Sequence, residues 1–145
     1  MFRGNHPARV DEKGRLKVPA EFKRLIDERY GTEFYITSRD GKVAEIYPVE
    51  EWRRIEEKLA KLSNFNPSKK RFLNKVNFYG QMVEMDAQGR LLLPQILREA
   101  AGITGDVAIY GNLTYLEVRN LEAYKKQIEE PFTEEDLSTL DQLGI

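Results

Sequence analysis

Residues 11–23 read Asp11-Glu12-Lys13-Gly14-Arg15-Leu16-Lys17-Val18-Pro19-Ala20-Glu21-Phe22-Lys23, and residues 86–98 read Asp86-Ala87-Gln88-Gly89-Arg90-Leu91-Leu92-Leu93-Pro94-Gln95-Ile96-Leu97-Arg98. Asp, Gly, Arg, Leu and Pro recur in register 75 positions apart, and each block ends on an apolar and then a basic residue. The likeness continues more loosely. Gly31 matches Gly105, Phe34-Tyr35-Ile36 matches Ala108-Ile109-Tyr110, Glu45-Ile46-Tyr47 matches Glu117-Val118-Arg119, and Trp52 matches Tyr124. Self-similarity at a fixed offset marks a duplicated structural unit. The chain is a tandem repeat of one small unit.

Each block has a local reading. Asp at the first and Gly at the fourth position of a four-residue turn is the type I preference, met by Asp11…Gly14 and by Asp86…Gly89. The Asp side chain accepts hydrogen bonds from turn amides, and Gly takes the positive φ of a hairpin bulge. Arg15-Leu16-Lys17-Val18 then alternates polar and apolar, the period of a half-buried strand. Pro19 and Pro94 suit the first turn of a helix, where a missing N–H costs nothing. Phe22, Leu25 and Ile26 share one helical face, as do Leu97 and Ala101, and Gly102 is a helix stop. Short strands follow around Phe34–Thr37 and Val43–Tyr47, and again around Val107–Tyr110 and Tyr115–Val118. Each copy is thus strand, turn, strand, helix, strand, strand.

A unit of roughly 45 residues buries too little surface to stand alone, so the two copies are expected to pack as a pseudo-dimer. Between them, Trp52, Ile55, Leu59 and Leu62 recur at helical spacing. Asn64-Phe65-Asn66-Pro67-Ser68 ends that helix, and Lys69–Tyr79 reads as a second. The resulting division is unit 1 over 1–52, a helical connector over 53–80, unit 2 over 81–124 and an acidic tail over 125–145. In the tail, Phe132-Thr133-Glu134-Glu135-Asp136 carries a capping-box pattern leading into Leu137, Leu140 and Leu143. This is a docking helix or a frayed end, with docking favoured.

Composition narrows the function. The 145 residues are 41% hydrophobic and 32% charged, enough apolar content for a packed core. With no cysteine, disulfide scaffolds, thiol nucleophiles and thiolate metal sites are excluded, and the single histidine, His6, makes zinc or His-relay chemistry hard to build. No apolar run reaches the 18 or more residues that span a bilayer, and the N-terminus lacks the apolar core of a signal peptide, which points to the cytoplasm. Ser38, Ser63, Ser68 and Ser138 stand in no nucleophile-elbow context, and no Walker or dinucleotide loop is present. A non-enzymatic protein without cofactor, metal or small-molecule substrate is expected.

Net charge is −1, but it is unevenly spread. Basic residues dominate before position 25, no acid lies between Lys58 and Val83, and every charged residue from Glu129 onward is acidic. Charge runs are usually solvated faces. Position moves the reading further. If Leu16 and Val18 face the core, Arg15 and Lys17 share the other face, with Lys13 in the turn beside them. A two-stranded ribbon fits the major groove of B-DNA, and an arginine fork matches guanine O6 and N7. Arg15 and Arg90 could also simply pair with Asp11 and Asp86 to stiffen the turns, a role compatible with outward-facing forks. Gln88 replaces Lys13 and Leu92 replaces Lys17 in the second copy. The first hairpin is therefore expected to bind phosphate more strongly, while Gln88 and Arg90 address base edges, Gln suiting adenine.

The repeated Asp-x-Lys/Gln-Gly-Arg-Leu-x-Val/Leu-Pro block, with Phe2-Arg3-Gly4 at the start, Ile96–Ile103 and Gly111 with Glu117-Val118, resembles the MraZ family of bacterial transcriptional regulators, over nearly the whole chain. That resemblance implies an α+β, mainly β fold: tandem AbrB/SpoVT-like swapped-hairpin units forming a double-ψ-like β-barrel core with short flanking helices. It also implies a ring-shaped homo-oligomer, associated with the nucleoid, that binds G-rich direct repeats in double-stranded DNA upstream of its own division and cell-wall operon and represses it. The expected DNA contacts are Arg15 and Arg90, helped by Lys13, Lys17, Gln88 and Arg3, on turns set by Asp11, Gly14, Asp86 and Gly89. The competing reading is an assembly module whose basic hairpins dock on an acidic protein partner.

Overall fold

The computed structural model describes residues 1–145 and realises the repeat as two copies of one element order. The first copy comprises β1 (Asn5–Val10), β2 (Arg15–Lys17), α1 (Ala20–Arg29), β3 (Glu33–Thr37), β4 (Ala44–Pro48) and α2 (Val49–Ala60). After α3 (Pro67–Tyr79) come β5 (Gln81–Glu84), β6 (Arg90–Leu92), α4 (Gln95–Ala101), β7 (Gly105–Asn112), β8 (Tyr115–Asn120) and α5 (Leu121–Ile128). The last element is α6 (Glu134–Gln142). The 52/53 boundary falls inside α2 and the 124/125 boundary inside α5.

All eight strands form one antiparallel sheet in the order β5-β3-β4-β8-β7-β1-β2-β6. Its two ends, β5 and β6, are the arms of the second hairpin, so the sheet curls into a nearly closed barrel. Four of the seven pairings cross between copies: β1 with β7, β2 with β6, β3 with β5 and β4 with β8. Each hairpin is thus inserted into the strands of the other repeat. The packing is closer than two units placed side by side.

The core follows from this exchange. Residues at matching positions meet in one cluster: Val10 and Met85, Leu16 and Leu91, Val18 and Leu93, Phe22 and Leu97 are all buried together. Burying a large aliphatic or aromatic side chain stabilises by about 1.5–3 kcal/mol, and here each repeat supplies the surface that the other covers. Pro19 and Pro94 stand one position earlier than the first helical turn, at the caps of α1 and α4, where their carbonyls accept from the Lys23 and Arg98 amides at 2.9 Å each. Gly102 ends α4 at φ 64°, the left-handed stop its position implied.

On the outer face of β3 and β4, Trp52 packs against Tyr47 and Val76 and stacks on Tyr35 at 4.6 Å between ring centroids, seating α2 and α3. Ile55 and Leu59 are half-buried, but Leu62 lies beyond the end of α2 and is exposed. Asn66 caps α3 by accepting from the Lys69 amide at 3.1 Å, so that helix begins at Pro67 rather than Lys69. One expectation fails at the C-terminus. Helix α6 forms, with the Thr133–Asp136 capping box in place, but Leu137 and Leu143 are 53% and 70% exposed, so it does not dock on this chain. Its cap and internal hydrogen bonds are local, and they form the helix without any apolar surface opposite it.

Candidate nucleic-acid interface

The two turns are built alike. Asp11 Oδ1 accepts from the amides of Lys13 at 3.0 Å and Arg15 at 2.9 Å, while Oδ2 accepts from Arg15 Nε at 2.8 Å. Asp86 Oδ1 accepts from the amides of Gln88 and Arg90, both at 2.9 Å, and Oδ2 accepts from Arg90 Nε at 2.8 Å. In each turn the Asp amide donates to the Arg carbonyl at 3.0 Å, closing the loop. The amides of Arg15 and Arg90, foremost, hold the two carboxyls below their ordinary range, and the guanidinium groups add to this. Gly14 and Gly89 sit at φ 86° and 75°, where an L side chain is strained.

The turn-stiffening role of Arg15 and Arg90 is therefore in place. Each uses its Nε on the turn Asp, which orients the guanidinium, and neither Nη group meets a protein acceptor. The outer edge of the fork, the edge that recognises guanine in two parallel hydrogen bonds, stays free.

Exchange of the hairpins then brings the two copies together. β2 and β6 pair with Arg15 opposite Leu92, Leu16 opposite Leu91 and Lys17 opposite Arg90. Leu16 and Leu91 point inward and are fully buried, so Arg15, Lys17, Arg90 and Leu92 share the outer face of one two-stranded ribbon. Arg15 and Arg90 are diagonal neighbours, about 7–8 Å apart. Lys17 and Arg90 are like charges directly opposed, an unfavourable pair on a free surface.

The swap also reassigns cations between the tips. Lys17 Nζ donates to the Gln88 carbonyl, in the turn of the second copy. Arg98, from α4, lies over Gly14, and Lys23, from α1, lies over Gly89. The strands lock the same way, the Leu93 amide donating to the Gly14 carbonyl at 2.9 Å and the Val18 amide to the Gly89 carbonyl at 3.0 Å. The number of cations at each tip is thereby evened: the first keeps Lys13 and Arg15 and acquires Arg98, while the second has Gln88 and Arg90 and acquires Lys17 and Lys23. Lys13 and Gln88 are exposed at their respective tips. Arg3 is remote from the first tip. It lies beyond the far end of β1, whose six residues span roughly 20 Å at about 3.3 Å each. Arg98 and Lys23 were visible in the sequence only as the recurring basic residue that closes each block; nothing local says that each covers the other block's glycine.

No group of acidic, histidine or cysteine side chains is arranged to hold a metal ion, and no helix is long and apolar enough to cross a membrane. The family model described as "MraZ protein, putative antitoxin-like" matches residues 1–75 and 80–143. The chain is 65% identical over 146 residues to the "Transcriptional regulator MraZ" of Acidobacterium capsulatum, covering 100% of both chains. It is 58% identical over 147 residues to the protein of that name from Koribacter versatilis, again covering 100% of both. It is 32% identical over 142 residues to that of Escherichia coli strain K12 / DH10B, covering 97% of this chain and 93% of the relative. With the doubled Asp-to-Arg turn, the hairpin exchange it builds, and similarity that runs the length of the sequence, the chain belongs to the MraZ family.

Proposed function

We propose that this protein is a transcriptional regulator that binds double-stranded DNA in a sequence-specific manner through the β2–β6 ribbon. The observation that carries the reading is the outer face of that ribbon, where two arginine forks with free edges stand beside Lys17 and no acid other than the two turn carboxylates neutralises them. Like charges opposed on a ladder are unfavourable until a polyanion arrives, and a two-stranded ribbon has the dimensions of the major groove. Their diagonal separation of about 7–8 Å spans roughly two base steps of 3.4 Å. Arg15 and Arg90 read guanine, Gln88 reads a neighbouring base edge, and Lys13 and Lys17 hold phosphates. Asp11, Gly14, Asp86 and Gly89 set the turns. Arg3, beyond the far end of β1, contacts backbone farther along the duplex.

The finer expectations join this proposal: action on the nucleoid in the cytoplasm, repression of its own division and cell-wall operon, G-rich direct repeats as the target, and a ring of identical chains whose linked contacts add avidity. Such avidity offers a way for a chain of net charge −1 to hold DNA. The test is fluorescence anisotropy on a duplex carrying the G-rich repeats from upstream of the gene, beside a scrambled duplex, across a salt series. Repeat-dependent binding that falls steeply with salt is expected. Equal, weak binding to both duplexes would overturn the reading and favour docking of the basic hairpins on an acidic protein.

A further inference from the structure

The first hairpin tip carries a guanidinium that the repeat pattern does not assign to it. A Cβ built on Gly14 would lie 2.3 Å from Arg98 Cζ and 2.7 Å from Nη1, so the guanidinium of α4 rests directly on the turn. Its Nε donates to the Leu93 carbonyl at 3.0 Å, and the Leu93 amide in turn donates to the Gly14 carbonyl. Arg98 is thus anchored by one N–H, and it forms no ion pair: those of this region join Arg9 to Asp106, Arg15 to Asp11 and Lys23 to Asp27. A surface concavity of about 530 Å³ opens beside it, shared with Arg9, Lys13 and Arg15 and edged by Asp11 and Glu12.

A turn cap needs only the Nε–H. Leaving the rest of a guanidinium unpaired beside Lys13 and Arg15 concentrates positive charge, which is costly in the free protein and is relieved by an anion. We infer that Arg98 is a DNA-contacting residue of the first tip, donating its Nη groups to a backbone phosphate next to the base read by Arg15. The tip is then a composite, with its turn drawn from one repeat and its phosphate anchor from the other. The second tip is its weaker counterpart. Lys23 covers Gly89 but donates its Nζ to the Asp27 carboxylate at 2.8 Å, so one of the two cations borrowed there, Lys17 being the other, is already neutralised.

The inference rests on the DNA-binding reading and is tested so that the two can fail separately. Anisotropy titrations on the repeat and scrambled duplexes, each in a salt series, compare the full chain with Arg98→Met, Arg98→Gln, Arg98→Lys, Lys23→Met and Arg15→Ala, with thermal melts to establish folding. Arg98→Met and Arg98→Gln are expected to weaken both duplexes about tenfold and to flatten the slope of log K against log salt by about 0.9, the signature of one lost phosphate contact. Lysine restores the slope, because phosphate accepts a point charge as well as a fork. Lys23→Met has a smaller effect on both quantities. If Arg98→Met binds with unchanged affinity and slope while Arg15→Ala loses base preference, Arg98 is a turn cap only and the inference falls alone. If neither neutral variant folds, Arg98 belongs to the fold and the inference is likewise overturned. If the unmodified chain shows no salt-dependent DNA binding, the functional reading fails and takes the inference with it.

Discussion

Replacing Gly14 by alanine discriminates between the two turns more sharply than any change to a charged residue. Gly14 and Gly89 occupy equivalent positions with similar positive φ, so an alanine at either costs about 1–2 kcal/mol of backbone strain. What lies over them differs. At Gly89 the new Cβ meets the aliphatic stem of Lys23, with Cδ at 3.0 Å, and a flexible stem yields by a few tenths of an ångström. At Gly14 it meets the guanidinium of Arg98 at 2.3 Å, and that group must leave, breaking its hydrogen bond to the Leu93 carbonyl. A hydrogen bond of this kind contributes about 1 kcal/mol. Gly14→Ala is therefore expected to destabilise by about 2–3 kcal/mol and Gly89→Ala by about 1–2 kcal/mol.

Urea unfolding at fixed protein concentration measures both, since any self-association makes stability concentration-dependent. The decisive experiment is the double-mutant cycle. With Arg98→Ala in place, Gly14→Ala retains its strain but has no guanidinium to displace, so the two changes are non-additive by about 1 kcal/mol. Equal destabilisation by the two glycine variants, or strict additivity with Arg98→Ala, would refute the argument that Arg98 is seated on the first turn.

On DNA, Arg15→Ala is expected to cost about 1–3 kcal/mol and relax base preference, whereas Lys17→Ala weakens every sequence alike and lowers the salt slope by about 1; anisotropy that shows the reverse assignment would place the readout elsewhere. Stability is expected to fall in acid. The depressed Asp11 and Asp86 carboxyls stabilise the fold above their unfolded value near 3.8, and that contribution disappears as pH drops through the lower folded value. Buried Glu45 has the opposite sign: desolvation raises its pKa, so its contribution to stability declines as pH rises from 4.5 through the raised value. Urea midpoints followed from pH 2 to 6 should lose part of their low-pH slope in Asp11→Asn and Asp86→Asn, and an unchanged slope would exclude these carboxyls as its source. Truncation after Glu130 removes α6, none of whose residues is buried, so the melting temperature should hold within about 2 °C. A larger drop would mean that its leucines are covered in solution by another surface.

Local chemistry made much of this protein legible. The Asp-to-Arg turns, the alternation that sends Leu16 and Leu91 inward, the stop at Gly102 and the capping box at Thr133 each depend on residues within a few positions of one another. Their structures could be read because backbone sterics and short-range hydrogen bonds act at that distance. The family likeness rests on the same residues. Readings that needed a distant partner fared differently. Leu62 and the leucines of α6 have helical spacing, but spacing only says that a face is apolar, and no apolar surface of this chain covers them.

The repeated blocks, their turns and the outward arginines were determined by the sequence alone, as was the expectation that the two units pack together around a shared core. Which strand fills each free edge was not, because a backbone edge carries no label and pairs with whatever the whole chain can bring to it. The tertiary structure chose the exchange of β1 with β7 and of β5 with β3, and laid β2 against β6. Two hairpins 75 residues apart thereby became one ribbon, with Lys17 against the Gln88 carbonyl and Arg98 on Gly14. Contacts of that span are set by the packing of the whole barrel, so no local reading of either block contains them.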